Sequence, residues 1–195
     1  KKWGFRAGFM DNAPAFRVRL LAHLLESFPE EAKSWRGAES WLELARLQEQ
    51  LCDYPAALAA YRAVLDGHPG QAEYRIQALE GALGLLEALQ DWSAMATLAA
   101  EHLKRFPQAE DAPRALQAGL LADASLDAKK IASLSGRVQS WLSLAGPNSE
   151  RALAAWRGLA GVADRFGDLE EKWKALEALA RDLDAVLHDF FAHRH

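Results

Sequence analysis

The most regular feature of the chain is an alternation of amphipathic stretches with short polar turns. Apolar residues recur three and four positions apart over 38–50 and again over 55–65, the spacing that places them on one face of a helix. Between these stretches, Asp53 stands where a helix N-cap is expected, and Pro55 falls in the first turn of the second helix. The Gly- and Pro-containing stretch 66–70 then ends the pair. The pattern predicts two helices joined by a tight turn, a helical hairpin.

The same pattern returns along the chain. The turn residues Asp53, Asp91 and Asp168 each follow a bulky apolar residue by twelve positions. These apolar residues are Trp41, Leu79 and Trp156. The prolines at 29, 69, 107 and 147 are spaced by 40, 38 and 40 residues. Such a period is typical of stacked helical units, since one hairpin can bury its apolar face only on its neighbours. The predicted fold class is all-α, an α-solenoid of about four to five stacked antiparallel helical hairpins.

The repeat length divides the chain into units. A chain of 195 residues corresponds to one domain or one short repeat array, and we expect a single repeat domain over 1–195. Its units are a partial one at 1–37, then 38–71, 72–108, 109–147 and 148–187, followed by a tail at 188–195. The motif is weak over 109–147. The last unit lacks the closing proline, as expected of a terminal capping unit.

The unit Ala38–Gln71 resembles a tetratricopeptide repeat (TPR). Six residues stand where that family has its Trp, Leu, first small, second small, aromatic and Pro positions: Trp41, Leu44, Ala45, Ala57, Tyr61 and Pro69. The pitch exceeds the family's usual length of about 34 residues, and HEAT-type repeats, which are also helical hairpins, are the alternative. The TPR interpretation is favoured because most of the recurring prolines follow a second helix.

The TPR resemblance implies a function. Members of the family hold a peptide or helix in a concave groove lined by the first helix of each hairpin. The family register places ten residues of this chain in the groove: Glu39, Leu42, Arg46, Glu49, Gln77, Glu80, Glu87, Arg157, Asp164 and Arg165. The first two units thus present an acidic strip and the last a mixed one, which favours a basic or amphipathic partner. The family's Lys, Asn and Arg clamp for a C-terminal carboxylate is absent at these positions. A non-catalytic interaction scaffold is the predicted function.

Composition narrows the classes of partner. There are 27 acidic and 23 basic residues, for a net charge of -4, which argues against nucleic acid as a partner. The most apolar stretch, 79–89, is interrupted by Glu80 and Glu87, so the sequence predicts no membrane-spanning segment. The single cysteine, Cys52, excludes an internal disulfide and any multi-thiolate metal site. Because Cys52 lies in an apolar stretch, we expect it to be a buried structural thiol.

Residues suited to chemistry are scattered. The sequence has no phosphate-binding glycine loop, nucleophile elbow, zinc-protease helix or calcium loop, so neither enzyme activity nor a cofactor is predicted. His188, His193 and His195 form a loose cluster that we interpret as a tail, not a metal site. The other histidines, His23, His68 and His102, are predicted to be solvated or to lie at helix ends. Four carboxylates are interpreted as a solvated charged helix face: Glu170, Glu171, Asp182 and Asp184.

The roles of several aromatic residues, the wider function and the cellular location each leave alternatives open. Trp41, Trp141 and Trp156 are predicted to be core residues. Trp3, Phe5 and Phe9 are interpreted either as the apolar face of a partial first helix, which an upstream unit would cover, or as a partner-binding patch, and Phe190 with Phe191 likewise. The first interpretation leaves a face through which the chain could also self-associate. Beside the scaffold, the chain could be a helical accessory region of a larger enzyme or polysaccharide export protein, or a structural spacer. It is also similar to bacterial envelope TPR proteins, which favours the periplasm or cell envelope over the cytoplasm.

Overall fold

A computed structural model gives the fold. It describes residues 14–146 and 149–192, with the side chains of these apart from 149 and 185–192. Ten α-helices and one 3-10 helix account for the secondary structure of these residues, which contain no strand. The α-helices are α1 Pro14–Ser27, α2 Pro29–Ala32, α3 Trp35–Gln50, α4 Tyr54–Gly67, α5 Ala72–Ala88, α6 Trp92–Arg105, α7 Ala112–Leu126, α8 Leu134–Ala145, α9 Ser149–Phe166 and α10 Leu169–Ala192. The predicted all-α class is confirmed.

The chain divides into two compact units, Lys1–Leu85 and Leu86–His195, with the boundary inside α5. In the first unit, α3 packs on α4 and on α1. In the second unit, α7 packs on both α6 and α9, and α9 packs on α10. Each unit is therefore built by helices packing on their neighbours in sequence or on the next helix but one.

The three turns that contain the repeated aspartates have one backbone structure. Each aspartate carboxylate accepts the backbone N–H three residues further on, at 3.0 to 3.3 Å. The residue before each aspartate has the left-handed backbone conformation: Cys52 (φ 59°), Gln90 (φ 56°) and Gly167 (φ 71°). Each aspartate N–H also donates to the carbonyl five residues earlier, at 2.8 to 3.0 Å. This is the Schellman helix end followed directly by an N-cap, and the predicted capping role of Asp53 is confirmed.

The three helix ends that precede a proline also share one backbone structure. Phe28, His68 and Phe106 have φ of −126°, −127° and −134°. Their N–H groups donate to the carbonyl four residues earlier, at 3.0, 2.9 and 2.8 Å. A following proline excludes the helical conformation from the residue before it, so each helix ends there. The periodicity read from the prolines at 29, 69 and 107 thus corresponds to a repeated local structure. Pro147 lies outside the described residues.

Tyr61 connects three helices of the first unit. Its ring lies against Gly81 of α5, where a Cβ would come within 2.6 Å of the tyrosine hydroxyl oxygen. That hydroxyl hydrogen-bonds to Glu49 of α3, and burial, with this hydrogen bond, raises the hydroxyl pKa above its ordinary value. Tyr61 itself is 3% exposed. The aromatic position of the repeat therefore joins α4 to both neighbouring helices.

Two contacts of buried polar side chains connect helices of the second unit. His102 Nε2 lies 3.1 Å from Asp111 Oδ2, with both side chains buried, and this pair joins the end of α6 to the start of α7. Glu171, which is 1% exposed, accepts the Ser135 N–H at 2.5 Å. Ser133, the N-cap residue of α8, makes no capping hydrogen bond with its own side chain. Glu171 of α10 thus supplies the carboxylate at the N-terminus of α8.

Several expectations from the sequence are wrong. Cys52 is exposed, because the left-handed turn residue points away from the hairpin core. By contrast, His68 and His102 lie at helix ends as predicted, and each is 4% exposed. Glu171 is buried, and Asp182 accepts a hydrogen bond from Trp156 Nε1 at 3.1 Å, so these two carboxylates do not belong to a solvated face. Trp141 and Trp156 are buried as predicted, and Trp41 is half-buried.

Candidate functional site

The candidate site of the second unit is the surface shared by α7 and α9, here called the α7/α9 face. The two helices run side by side in the same direction, since Pro113 lies near Arg151 and Leu121 lies near Val162. Where the two helices pass each other, a Cβ on Gly158 would lie 3.2 Å from Cβ of Gln117. Glycine at 158 therefore allows the close packing that makes this face continuous.

A cleft of about 180 Å³ opens along the α7/α9 face. Its polar rim is formed by two paired groups. Arg165 Nη1 donates to Glu87 Oε1 at 2.8 Å, and Arg114 Nη1 donates to Gln117 Oε1 at 3.2 Å. The cleft is lined on its apolar side by Ala118, Leu121 and Val162. Two guanidinium groups and one carboxylate around an apolar floor suit an amphipathic segment better than a reacting small molecule.

In the first unit, the predicted groove residues lie on α3 and α5. Arg46 Nη2 donates to Gln77 Oε1 at 2.8 Å, so these two helices present adjoining side chains. Glu39 and Glu80 are exposed, whereas Glu49 is half-buried and faces the Tyr61 hydroxyl. Leu42 is 2% exposed, which removes it from any accessible surface. The accessible part of this surface thus carries two carboxylates and one guanidinium, that of Arg46.

The remaining predicted residues lie on α9. Arg157 and Asp164 are exposed, and Asp164 forms an ion pair with Lys172 of α10. Asp164 thus connects α9 to its own hairpin partner. Of the ten predicted groove residues, two pairs make direct contact, Arg46 with Gln77 and Glu87 with Arg165.

Sequence reasoning missed Arg114 and Gln117, because the repeat motif is weak over 109–147. The signal that would have found Gln117 is its position, forty residues after Gln77 and forty before Arg157. The period survives in this unit although the diagnostic Trp and Asp do not. Position within the period, more than residue type, therefore identifies Gln117, whereas Arg114 has no such signal.

Other candidate chemistry can be placed only in part. Among residues 14–146 and 149–184, no three His, Cys, Asp or Glu side chains come together as a metal site would require. The described helices are each too short or too polar to cross a bilayer. The histidine cluster at 188, 193 and 195, the aromatic residues at 3, 5 and 9, and Phe190 with Phe191 lie outside the described side chains.

Comparison with known protein families, with curated proteins and with solved structures finds no match to this chain.

Proposed function

We propose that the chain is a non-catalytic scaffold of TPR-like repeats, which holds an amphipathic segment of a partner protein against its first helices. One observation carries the proposal. Within each unit, residues that the repeat register assigns to a common surface lie next to each other on different first helices, Arg46 of α3 beside Gln77 of α5 and Glu87 of α5 beside Arg165 of α9. A surface that continues from one helix to the next is what an extended segment requires.

The charges of this surface indicate the partner's character. In the first unit, Glu39 and Glu80 are exposed carboxylates on α3 and α5. In the second unit, Arg114 and Arg165 lie beside an apolar cleft with Glu87. The first unit therefore suits a segment that carries lysine or arginine, and the cleft of the second unit suits a segment with apolar residues on one side. Since exposed charges are screened by salt, the association rate of such a segment would fall as ionic strength rises.

Charge reversal tests the proposal. A tagged double variant, Glu39→Lys with Glu80→Lys, is compared with the wild-type chain in pull-downs from the cells that produce the protein. The matched control, Glu26→Lys with Glu101→Lys, makes the same change of net charge at exposed positions of α1 and α6. Circular dichroism first establishes that all three proteins are equally helical.

We expect a protein retained by the wild type and by the control to be lost from the Glu39 and Glu80 variant. Equal retention by all three proteins would place the working surface elsewhere. Equal loss from both variants would show that overall charge, and not this surface, governs the interaction.

A further inference from the structure

Two helices of the chain expose rows of large apolar side chains. On α1 the row, here the α1 stripe, is Phe16, Leu20 and Leu24, which are 46, 44 and 42% exposed. On α10 the row, here the α10 stripe, is Leu169, Trp173, Leu176 and Leu183, with exposures of 67, 65, 37 and 37%. Contiguous apolar rows of this kind mark interaction surfaces, in contrast to single exposed leucines.

The α10 stripe lies on the side of its helix that faces away from α9. Its members follow one another at intervals of four, three and seven residues, which keeps them on one face. The buried residues Glu171, Ala175 and Ala178 repeat the same spacing on the opposite face. A capping unit has a polar outer face, so the predicted capping character of this unit does not agree with the structure of α10.

The edges of the two stripes carry opposite charges. Each of Leu169, Leu176 and Leu183 is followed directly by an acidic residue, giving a row of Glu170, Glu177 and Asp184. Lys174, which pairs with Glu170 at 2.8 Å, lies on the far side of this row. On the other edge, Lys172 forms an ion pair with Asp164. The edge next to Trp173 therefore carries the three carboxylates, with Lys174 and the exposed Arg181 beyond them.

The α1 stripe is flanked by arginine. Arg17 and Arg19 lie on the two sides of the row formed by Phe16 and Leu20, and both are exposed. Arg17 also forms an ion pair with Glu43 of α3. Glu26 lies beyond Leu24, one turn after His23. The first two turns of the stripe thus have a basic border.

We propose that a second copy of the chain covers each stripe, with the α10 stripe of one copy packed on the α1 stripe of the next. This pairing sets acidic edges against arginine, whereas α10 on α10 in antiparallel register sets Glu170, Glu177 and Asp184 against themselves. The contact is heterologous, so each added copy leaves one stripe of each kind open. Assembly then continues as a filament or closes as a ring. The proposal involves surfaces other than the first-helix face and stands independently of the proposed function.

Complementation between blocked variants tests this contact. One variant, Leu20→Ser with Leu24→Ser, disables the α1 stripe; another, Trp173→Ser with Leu176→Ser, disables the α10 stripe. Sedimentation velocity at low salt measures mass against concentration for the wild type, for each variant and for an equimolar mixture. We expect the wild type to grow with concentration, each variant alone to be monomeric, and the mixture to form a heterodimer and nothing larger.

Any of three results would overturn the proposal. A wild type that is monomeric at every concentration would mean that no second copy binds. A blocked variant that dimerises by itself would indicate a like-with-like contact. A mixture of two folded variants that stays monomeric would show that the two stripes do not recognise each other. The control is Leu144→Ser, which removes an exposed leucine of α8 outside both stripes and should associate like the wild type.

Charge reversal provides a second readout that leaves the apolar rows intact. Arg19→Glu or Glu177→Arg alone should raise the dissociation constant by about fivefold at low salt, the size expected for an exposed charge pair turned repulsive. The double variant should recover part of that loss. If neither single reversal changes the dissociation constant at low salt, charge complementarity does not contribute to the contact.

Discussion

At the scale of single residues, Glu171 has the least expected role. Its carboxylate is buried and accepts the Ser135 N–H at the start of α8, while its neighbour Glu170 is exposed. Glu171→Ala leaves that N–H without its acceptor and should lower the free energy of unfolding by about 1–3 kcal/mol. Chemical denaturation measures the change. Glu170→Ala is the matched control and should be close to neutral; equal effects of the two substitutions would contradict the capping role.

Gly81 and Gly84 offer a matched pair in one helix. A Cβ at Gly81 would collide with the buried Tyr61 ring, whereas nothing lies within 4 Å of a Cβ at Gly84. Gly81→Ala should therefore destabilise the protein by about 1–3 kcal/mol through overpacking. Gly84→Ala should stabilise it by about 0.5–1 kcal/mol, because alanine is the better helix former. Thermal and chemical unfolding measure both, and the same sign for both would show that Tyr61 does not lie on Gly81.

His68 predicts a pH dependence of stability. Burial lowers the pKa of its imidazole below the ordinary 6.5, although a hydrogen bond to the Ala32 backbone opposes the shift. Below about pH 6.5, the unfolded chain therefore binds a proton that the folded chain resists. The contribution of His68 is complete above that pH and is lost as the pH falls. Unfolding curves of wild type and His68→Gln should converge on acidification, while exposed His23→Gln should follow the wild type throughout.

At the scale of elements, the repeated turn gives a test of backbone conformation. Cys52 and Gln90 hold left-handed conformations that glycine adopts without strain, as Gly167 does in the third turn. Cys52→Gly and Gln90→Gly should each stabilise the protein by about 0.5–1 kcal/mol, part of the relief being offset by the greater freedom of glycine in the unfolded chain.

The control is Leu51→Gly, one residue earlier, where φ is −86° and glycine offers no relief. It should destabilise the protein by about 0.5–1 kcal/mol. Denaturation midpoints that fall for both Cys52→Gly and Leu51→Gly would mean that the turn does not have the Schellman geometry.

The elements could be predicted from the sequence wherever the signal is local. Asp53 and Pro55 defined a helix start, and Pro69 with Pro107 marked helix ends, because capping and proline sterics act within a few residues. The role of Glu171 could not be predicted, because its partner Ser135 lies on a different helix. Cys52 was predicted to be buried because its neighbours in sequence are apolar. Its exposure follows instead from its own backbone conformation, which has a positive φ.

At the scale of the whole molecule, part of the candidate site followed from the period and part did not. Glu87 and Arg165 were assigned to one surface from the register and lie in contact. Arg114 and Gln117 line the same cleft but belong to the unit whose motif is weak. The connection from α7 to α8 explains that weakness, since a 3-10 helix, Ala128–Ser133, with Asp127 as its N-cap, replaces the tight left-handed turn of the other hairpins.

The molecule has two kinds of candidate surface. The α7/α9 face carries paired polar groups beside an apolar floor, the surface of α3 and α5 carries exposed polar groups, and α1 and α10 carry exposed apolar stripes with charged edges. The first kind is proposed to hold a partner segment and the second a further copy of the chain. Because the residues of the two kinds do not overlap, a variant of one surface should leave the function of the other unchanged.

The central claim, that the first helices hold a partner, is tested most directly by site-specific photo-cross-linking. A photoreactive amino acid replaces Gln117, inside the cleft of the α7/α9 face, and in a control protein it replaces exposed Glu101 of α6. After irradiation in the producing cells, mass spectrometry identifies any adduct. We expect one protein to be cross-linked from position 117 and to be absent from position 101. An adduct from position 101 alone, or the same adducts from both positions, would contradict the claim.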